Sequence, residues 1–120
     1  MTPGASTALP GRALDHPDRA DIRLPQVLHA LADPVRLSLV SALAATAAEL
    51  PCSAFELPVT KSTCTHHFRV LREAGVIRQA YRGTAKLNAL RRADLEALFP
   101  GLLDAILTAY TAPAQARRGA

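Results

Sequence analysis

Residues Val59 to Ile77 constrain the fold of this 120-residue chain more than any other stretch. They read Val-Thr-Lys-Ser-Thr-Cys-Thr-His-His-Phe-Arg-Val-Leu-Arg-Glu-Ala-Gly-Val-Ile. Thr60 is placed to cap a helix, because its hydroxyl can accept a bond from a first-turn amide that has no partner within the helix. Gly75 is placed to end it, since glycine tolerates the left-handed conformation of a helix stop. Cys64, Phe68 and Leu71 recur at i, i+4 and i+7 and form one apolar stripe. Ser62, His66 and Arg69 share the opposite face, with Thr65 and Arg72 at its border. A merely solvated helix more often carries Glu/Lys pairs at i, i+4. Hydroxyls, imidazole and guanidinium instead suit base edges and phosphates. The pattern predicts a DNA-reading helix that runs straight into a strand.

The flanking segments fit that helix. From Leu24 the periodicity is helical, with Pro25 in the first turn and Val27, Leu28 and Leu31 on one face. Asp33-Pro34 supplies a second cap and opens a helix through Val35, Leu37, Leu39, Val40, Leu43 and Ala44. Glu49-Leu50-Pro51 breaks it. Ser53 can cap a short helix, Ala54 to Leu57, and Pro58-Val59-Thr60 makes the turn, which gives the helix-turn-helix order. After Gly75, residues Val76 to Tyr81 and Ala85 to Leu90 read as strands around Arg82-Gly83-Thr84. Arg78, Arg82 and Lys86 would place charge on this hairpin, as a wing resting on phosphates needs. A structural hairpin with ordinary solvated charges is the alternative. Near the C-terminus, Asp94 opens a helical region with Leu95 and Leu98 on one face, and Pro100-Gly101 interrupts it. Leu102, Leu103, Ile106, Leu107 and Tyr110 then form a stripe larger than a small domain covers easily. It predicts a partner helix, most simply the same helix of a second subunit; packing on the chain's own core is the alternative.

Composition sets the remaining bounds. The chain is 49% apolar but only 4% aromatic, without Trp, which favours a Leu/Val/Ile/Ala helical core. The expected fold is mainly α with a two-stranded β-wing. A net charge of +4 suits a polyanionic partner and is weak evidence alone. No apolar run approaches the roughly 18 residues of a membrane span, and the first residues do not look like a secretory signal, so no membrane association and a cytoplasmic location are expected. Residues 1–20, with Pro3, Pro10, Pro17, Gly4 and Gly11, read as a flexible arm; residues 21–112 as the folded domain; residues 113–120 as a frayed tail. The arm either has no role, touches DNA through Arg12 and Arg19, or packs across a dimer.

Two stretches carry a family resemblance: Leu31-Ala-Asp-Pro-Val-Arg-Leu37 and the Val59–Ile77 segment, with Tyr81-Arg-Gly-Thr-Ala-Lys-Leu87 following at the expected distance. Over about residues 24–110 the chain resembles the ArsR/SmtB family of bacterial winged-helix repressors. The resemblance implies a homodimer formed by the N- and C-terminal helices, two recognition helices in successive major grooves of an inverted-repeat operator, and release by an inducer. It implies that Lys61, Ser62, Thr63, Thr65 and His66 face bases or phosphates, with Arg69, Arg82 and Lys86 on the backbone. Leu28, Leu102, Leu103, Ile106, Leu107 and Tyr110 would form the dimer interface. His67 points toward the apolar side and is expected to be packed and hydrogen-bonded.

Many relatives sense metals, but the ligand patterns do not assemble here. The Cys-x-Cys site is reduced to Cys52 in Leu50-Pro-Cys-Ser-Ala-Phe55, and residues 91–120 contain neither His nor Cys. No metal site and no cofactor are therefore expected; a soft metal or metalloid recruiting Cys52, Cys64 and a histidine is the alternative. Cys64 on the apolar stripe reads first as a small hydrophobe; Cys52 and Cys64 remain a candidate redox pair if their Cα atoms come within about 7 Å. A small-molecule inducer is an equal alternative. A DNA-binding protein indifferent to sequence is a competing reading. An enzyme using Cys64 or Cys52 with His66 or His67 is not expected, since no oxyanion donors or orienting acid accompany them.

Overall fold

The structure, a computed structural model, describes residues 12–46, 49–55 and 60–112. Five helices and a small antiparallel sheet follow one another: β1 (Arg12–Ala13), α1 (Leu24–Leu31), α2 (Pro34–Ala44), β2 (Leu50–Pro51), α3 (Lys61–Ala74), β3 (Ile77–Arg82), β4 (Ala85–Leu90), α4 (Arg92–Leu98) and α5 (Leu102–Thr111). Short 3-10 turns lie at Arg19–Asp21 and Cys52–Ala54. The helix boundaries follow the capping chemistry. Asp33 accepts the Val35 and Arg36 amides at 2.9 and 3.1 Å, and Pro34 follows it at the first helical position. Thr60 accepts the Thr63 amide at 3.2 Å. Gly101, at φ 80°, separates α4 from α5, where the sequence anticipated an interruption.

The core sits where α1, α2 and α3 meet. Val27, Ala30 and Leu31 pack with Leu39, Val40 and Leu43, and with Phe68 and Leu71 of α3. Each Leu or Phe buried this fully contributes roughly 1.5–3 kcal/mol. Val76 and Ile77 continue the core below α3, and Leu95 and Leu103 close it from α4 and α5.

The expected hairpin is present, shifted by one residue at its first strand, with Gly83 at φ 63° in a tight turn between paired Arg82 and Ala85. It is not alone. β1 pairs with β3 and β2 with β4, giving the order β1-β3-β4-β2. Pro51 fits β2 because an edge strand can lack one amide donor. The short helix expected over 54–57 differs: Cys52–Ala54 forms a 3-10 turn and Phe55 is extended, while residues 56–59 lie outside the described residues.

The flexible arm expected over 1–20 reaches less far than the composition suggested. Residues 1–11 lie outside the described residues, but from Arg12 onward the chain is tied to the domain. β1 pairs with Tyr81 and Ala80, Arg91 donates to the Pro17 carbonyl at 2.8 Å, and His16 Nε2 accepts the Gln79 amide at 2.8 Å. The tail 113–120 also lies outside the described residues.

His16 makes this attachment sensitive to pH. Burial lowers its pKa from 6.5; the bond to the Leu14 backbone opposes this, and the charges of Arg78, Arg91 and Arg72 add to the lowering. The unfolded chain therefore takes up this proton at higher pH than the folded chain. Stability is complete above about pH 6.5 and falls as pH drops through the window between that value and the lower folded pKa. The urea midpoint should decline as pH falls below about 6.5, and His16→Gln should flatten that decline. An unchanged slope in the variant would detach His16 from it.

Gly75 locks the end of α3 onto the same region. Its φ is 87°, and a Cβ there would lie 2.5 Å from Ile22 Cγ1 and 2.7 Å from Cδ1. Gly75→Ala is expected to lower stability by about 2 kcal/mol, from left-handed strain and overpacking together, read as a shift in urea midpoint at constant slope. A loss of only about 1 kcal/mol would mean that Ile22 yields freely and the left-handed strain alone is left.

Candidate nucleic-acid interface

α3 turns its apolar stripe inward: Phe68 and Leu71 are buried and Cys64 is half-buried. Lys61, Ser62, Thr63, Thr65, His66 and Arg69 are all exposed along the other side. Three of these also build the helix itself. The Thr60 hydroxyl donates to Thr63 Oγ1 at 2.9 Å, Ser62 Oγ lies 3.3 Å from the same hydroxyl, and Thr65 donates to the Lys61 carbonyl at 3.1 Å. These bonds fix the first turn of α3 and so the direction in which its polar face points. At the wing, Arg82 is exposed and Lys86 half-buried. Arg82 meets Glu49 at 3.4 Å, an exposed pair of small energetic weight that a phosphate can replace. The wing tip and the start of α3 border a common cleft.

Two arginines read from the sequence as border or wing charge are committed elsewhere. Arg72 is half-buried and donates to Gln79 Oε1 at 2.8 Å. Arg78 reaches Asp94 at 3.4 Å, and Arg19 and Arg91 bind the same carboxylate at 2.9 and 3.0 Å. Burial alone would raise the Asp94 pKa, but the Arg19 and Arg91 bonds hold it below the usual carboxylate range. Arg78 thus fastens the base of the wing to α4.

Two buried polar clusters, which the sequence reading did not single out, aim the recognition face. Arg36 is buried on α2 and donates to the Ala30 carbonyl at 2.7 Å, the His29 carbonyl at 3.3 Å and His67 Nδ1 at 3.1 Å. Arginine is only a donor, so His67 Nδ1 accepts, which places the ring proton of a neutral imidazole on Nε2. His67 is packed and hydrogen-bonded, and it ties α3 to the end of α1. One signal was available: Arg36 lies at i, i+3, i+4 and i+7 with Leu39, Val40 and Leu43, on the buried stripe. In the second cluster, Gln79 donates to Asn88 Oδ1 at 2.7 Å, and Asn88 Nδ2 donates to the Leu50 carbonyl at 3.1 Å and Cys52 Sγ at 3.4 Å. With Arg72 it joins α3, both wing strands and β2.

Cys52 and Cys64 are free thiols, both half-buried and both lining the cleft beside α3. Burial pushes the Cys64 thiol up, and Cys52 adds to the shift. Among the described residues, no group of three or more His, Cys, Asp or Glu is placed to hold a metal ion.

Of the residues expected at a dimer interface, Leu28 and Tyr110 are exposed, and Leu102, Ile106 and Leu107 are half-buried. Leu103 differs. It is buried in the chain's own core and, with Leu95, closes a small gap against Val27 and Leu31 of α1. A helical stripe this wide is divided: its centre packs inward and its edges stay outside.

A helix-turn-helix followed by a basic hairpin defines a winged helix-turn-helix DNA-binding protein. Comparisons with known proteins agree. Residues 31–80 match the model of a helix-turn-helix domain family. The chain is 30% identical over 83 residues to YceK of Bacillus subtilis (strain 168), an uncharacterized HTH-type transcriptional regulator, covering 68% of this chain and 83% of that one. Its fold resembles the transcriptional repressor BigR from Xylella fastidiosa, with a TM-score of 0.58 and 26% identity over 75% of this chain and 88% of the other. An ArsR family transcriptional regulator superposes with a TM-score of 0.57 at 21% identity, covering 74% of this chain and 98% of its own. The chain belongs to the helix-turn-helix transcriptional regulators, and its winged-helix fold is the one seen in an ArsR family regulator. Among the described residues no single helix is long and apolar enough to cross a membrane; α1 and α2 together pass that test only as a pair bent by 99°.

Proposed function

We propose that this chain is a sequence-specific repressor that binds an inverted-repeat operator in the cytoplasm as a homodimer and is released by an inducer. The observation that carries this reading is the shared face: six exposed polar residues of α3 beside a wing tip bearing Arg82 and Lys86. Ser62 and His66 read base edges; Lys61, Thr63, Thr65, Arg69, Arg82 and Lys86 hold phosphates and set the register. α1 and α5 adjoin at the small gap between Val27, Leu31, Leu102 and Leu103. Exposed Leu28 and Tyr110, with Leu102, Ile106 and Leu107, supply the apolar edge that a second subunit covers. The similarity to a repressor, BigR, supports the direction of regulation.

Fluorescence anisotropy on DNA upstream of the chain's own gene tests the assignment. Ser62→Ala and His66→Ala should each weaken binding to that DNA by roughly 1–3 kcal/mol while leaving random-sequence DNA nearly unaffected. Equal losses on both DNAs would remove these side chains from base reading, and equal affinity of the native chain for both would favour a sequence-indifferent DNA binder.

A second reading rests on the two thiols that border one cleft. A disulfide between Cys52 and Cys64, with two protons and two electrons passing to an oxidant, would draw α3 toward the 3-10 turn. The upward shift of the Cys64 pKa slows that chemistry, since the thiolate is the reactive form. Comparing reduced and oxidised protein on the same DNA decides it: equal binding leaves both thiols as packing groups.

A further inference from the structure

A cleft of about 540 Å³ opens between the start of α3, the 3-10 turn before it and the tip of the wing. That volume suits a small organic molecule. Cys52, Phe55, Cys64 and Phe68 give it an apolar wall, and the two phenyl rings sit 5.6 Å apart at 59°. A thiol pushed up by burial stays protonated and behaves as a small apolar surface. Lys61 from α3 and Lys86 from the wing line the same cleft. Lys86 Nζ lies 5.4 Å from the Tyr81 ring centroid, a contact that steadies an ammonium group without neutralising it. Among the described lining residues there is no carboxylate.

An apolar wall with two cations and no described anion is complementary to one class of small molecule. We propose that the cleft binds an organic anion with an aromatic or aliphatic body, its charged group held by Lys61 and Lys86. Both lysines, and Thr65 on the same lining, also belong to the face assigned to DNA. An ammonium group occupied by the ligand is withdrawn from phosphate, and a body seated against Phe55 and Phe68 stands between α3 and the wing. Ligand and DNA therefore exclude each other directly, without a change of fold. The inference rests on the DNA-binding reading above and gives the inducer a place and a chemical class.

Anilinonaphthalene sulfonate is a suitable probe, because it fluoresces when its rings enter an apolar site and it carries one negative charge. Titration of the full chain should give a saturable signal. Lys61→Ala with Lys86→Ala should weaken it at least tenfold, as should replacing the probe by uncharged phenylnaphthylamine. Thr65→Phe, at an exposed rim position that leaves the core intact, should block the site. Upstream DNA should displace the probe, and the probe should raise the apparent Kd for that DNA in proportion to its concentration. If the chain binds DNA but the probe signal ignores the lysine and Thr65 variants, or coexists with DNA, the cleft assignment is overturned and the DNA-binding reading stands. If the probe binds as expected but no DNA binds under any condition, the DNA-binding reading falls, and the competition falls with it.

Discussion

Replacing Arg36 by Ala is expected to lower stability by about 3 kcal/mol and to weaken DNA binding along with it. Two acceptors lose their donor at once, the Ala30 carbonyl and Nδ1 of His67, while the His29 carbonyl keeps the Ala32 amide at 3.2 Å. A buried acceptor without a partner costs roughly 1–3 kcal/mol, less where water can enter. Both carbonyls lie in the last turn of α1, and the Ala30 carbonyl finds no amide four residues on because Pro34 has none. The imidazole belongs to the recognition helix, so the same side chain that closes α1 fixes the roll of α3 about its axis. Arg36→Lys should recover only part of the loss, since a single ammonium cannot reproduce the planar fork that meets three acceptors. Urea unfolding at constant slope measures the stability term. Against a total of about 5–15 kcal/mol for a small domain, a loss of this size is readily seen. A change below about 0.5 kcal/mol would show that water replaces the guanidinium and that the anchor is dispensable.

Arg36 also shows how far the sequence could be read. Local chemistry was legible: Thr60, Asp33 and Gly75 cap helices because their side chains, or the lack of one, suit a helix end whatever lies around it. The stripe Cys64, Phe68, Leu71 and the hairpin turn at Gly83 were legible for the same reason. Long side chains were not. Arg72 and Arg78 could each reach solvent or a neighbour, and what decides is Gln79 on β3 for one and Asp94 on α4 for the other. The Gln79–Asn88 bond depends on the strand register, and the attachment of residues 12–22 on β3 and Gly75; neither leaves a periodic trace. A two-residue strand such as β1 has no pattern to detect. Of the site itself, the exposed face of α3 could be read from periodicity. The cleft beside it could not, because its wall is assembled from three separate segments.

Leu28→Glu combined with Tyr110→Glu is expected to give a monomer whose affinity for upstream DNA falls at least a hundredfold, about 2.7 kcal/mol. Both positions are exposed, at 44% and 40%, so a carboxylate at either meets water in the single chain and costs little fold stability. In the proposed dimer the same carboxylates would enter an apolar contact, where an unpaired charge is strongly unfavourable. Loss of the dimer removes the second recognition helix, and a lone half-site complex keeps only its own base and phosphate contacts. The choice of positions matters. A charge at Leu103 would be driven into the chain's own core and would unfold the domain, so loss of binding there would say nothing about assembly. Light scattering should report the single-chain mass of 12.7 kDa for the double variant, with an unchanged helical circular dichroism spectrum. A variant that stays dimeric would move the interface away from α1 and α5. A monomer that still binds upstream DNA with native affinity would show that one recognition helix and one wing suffice.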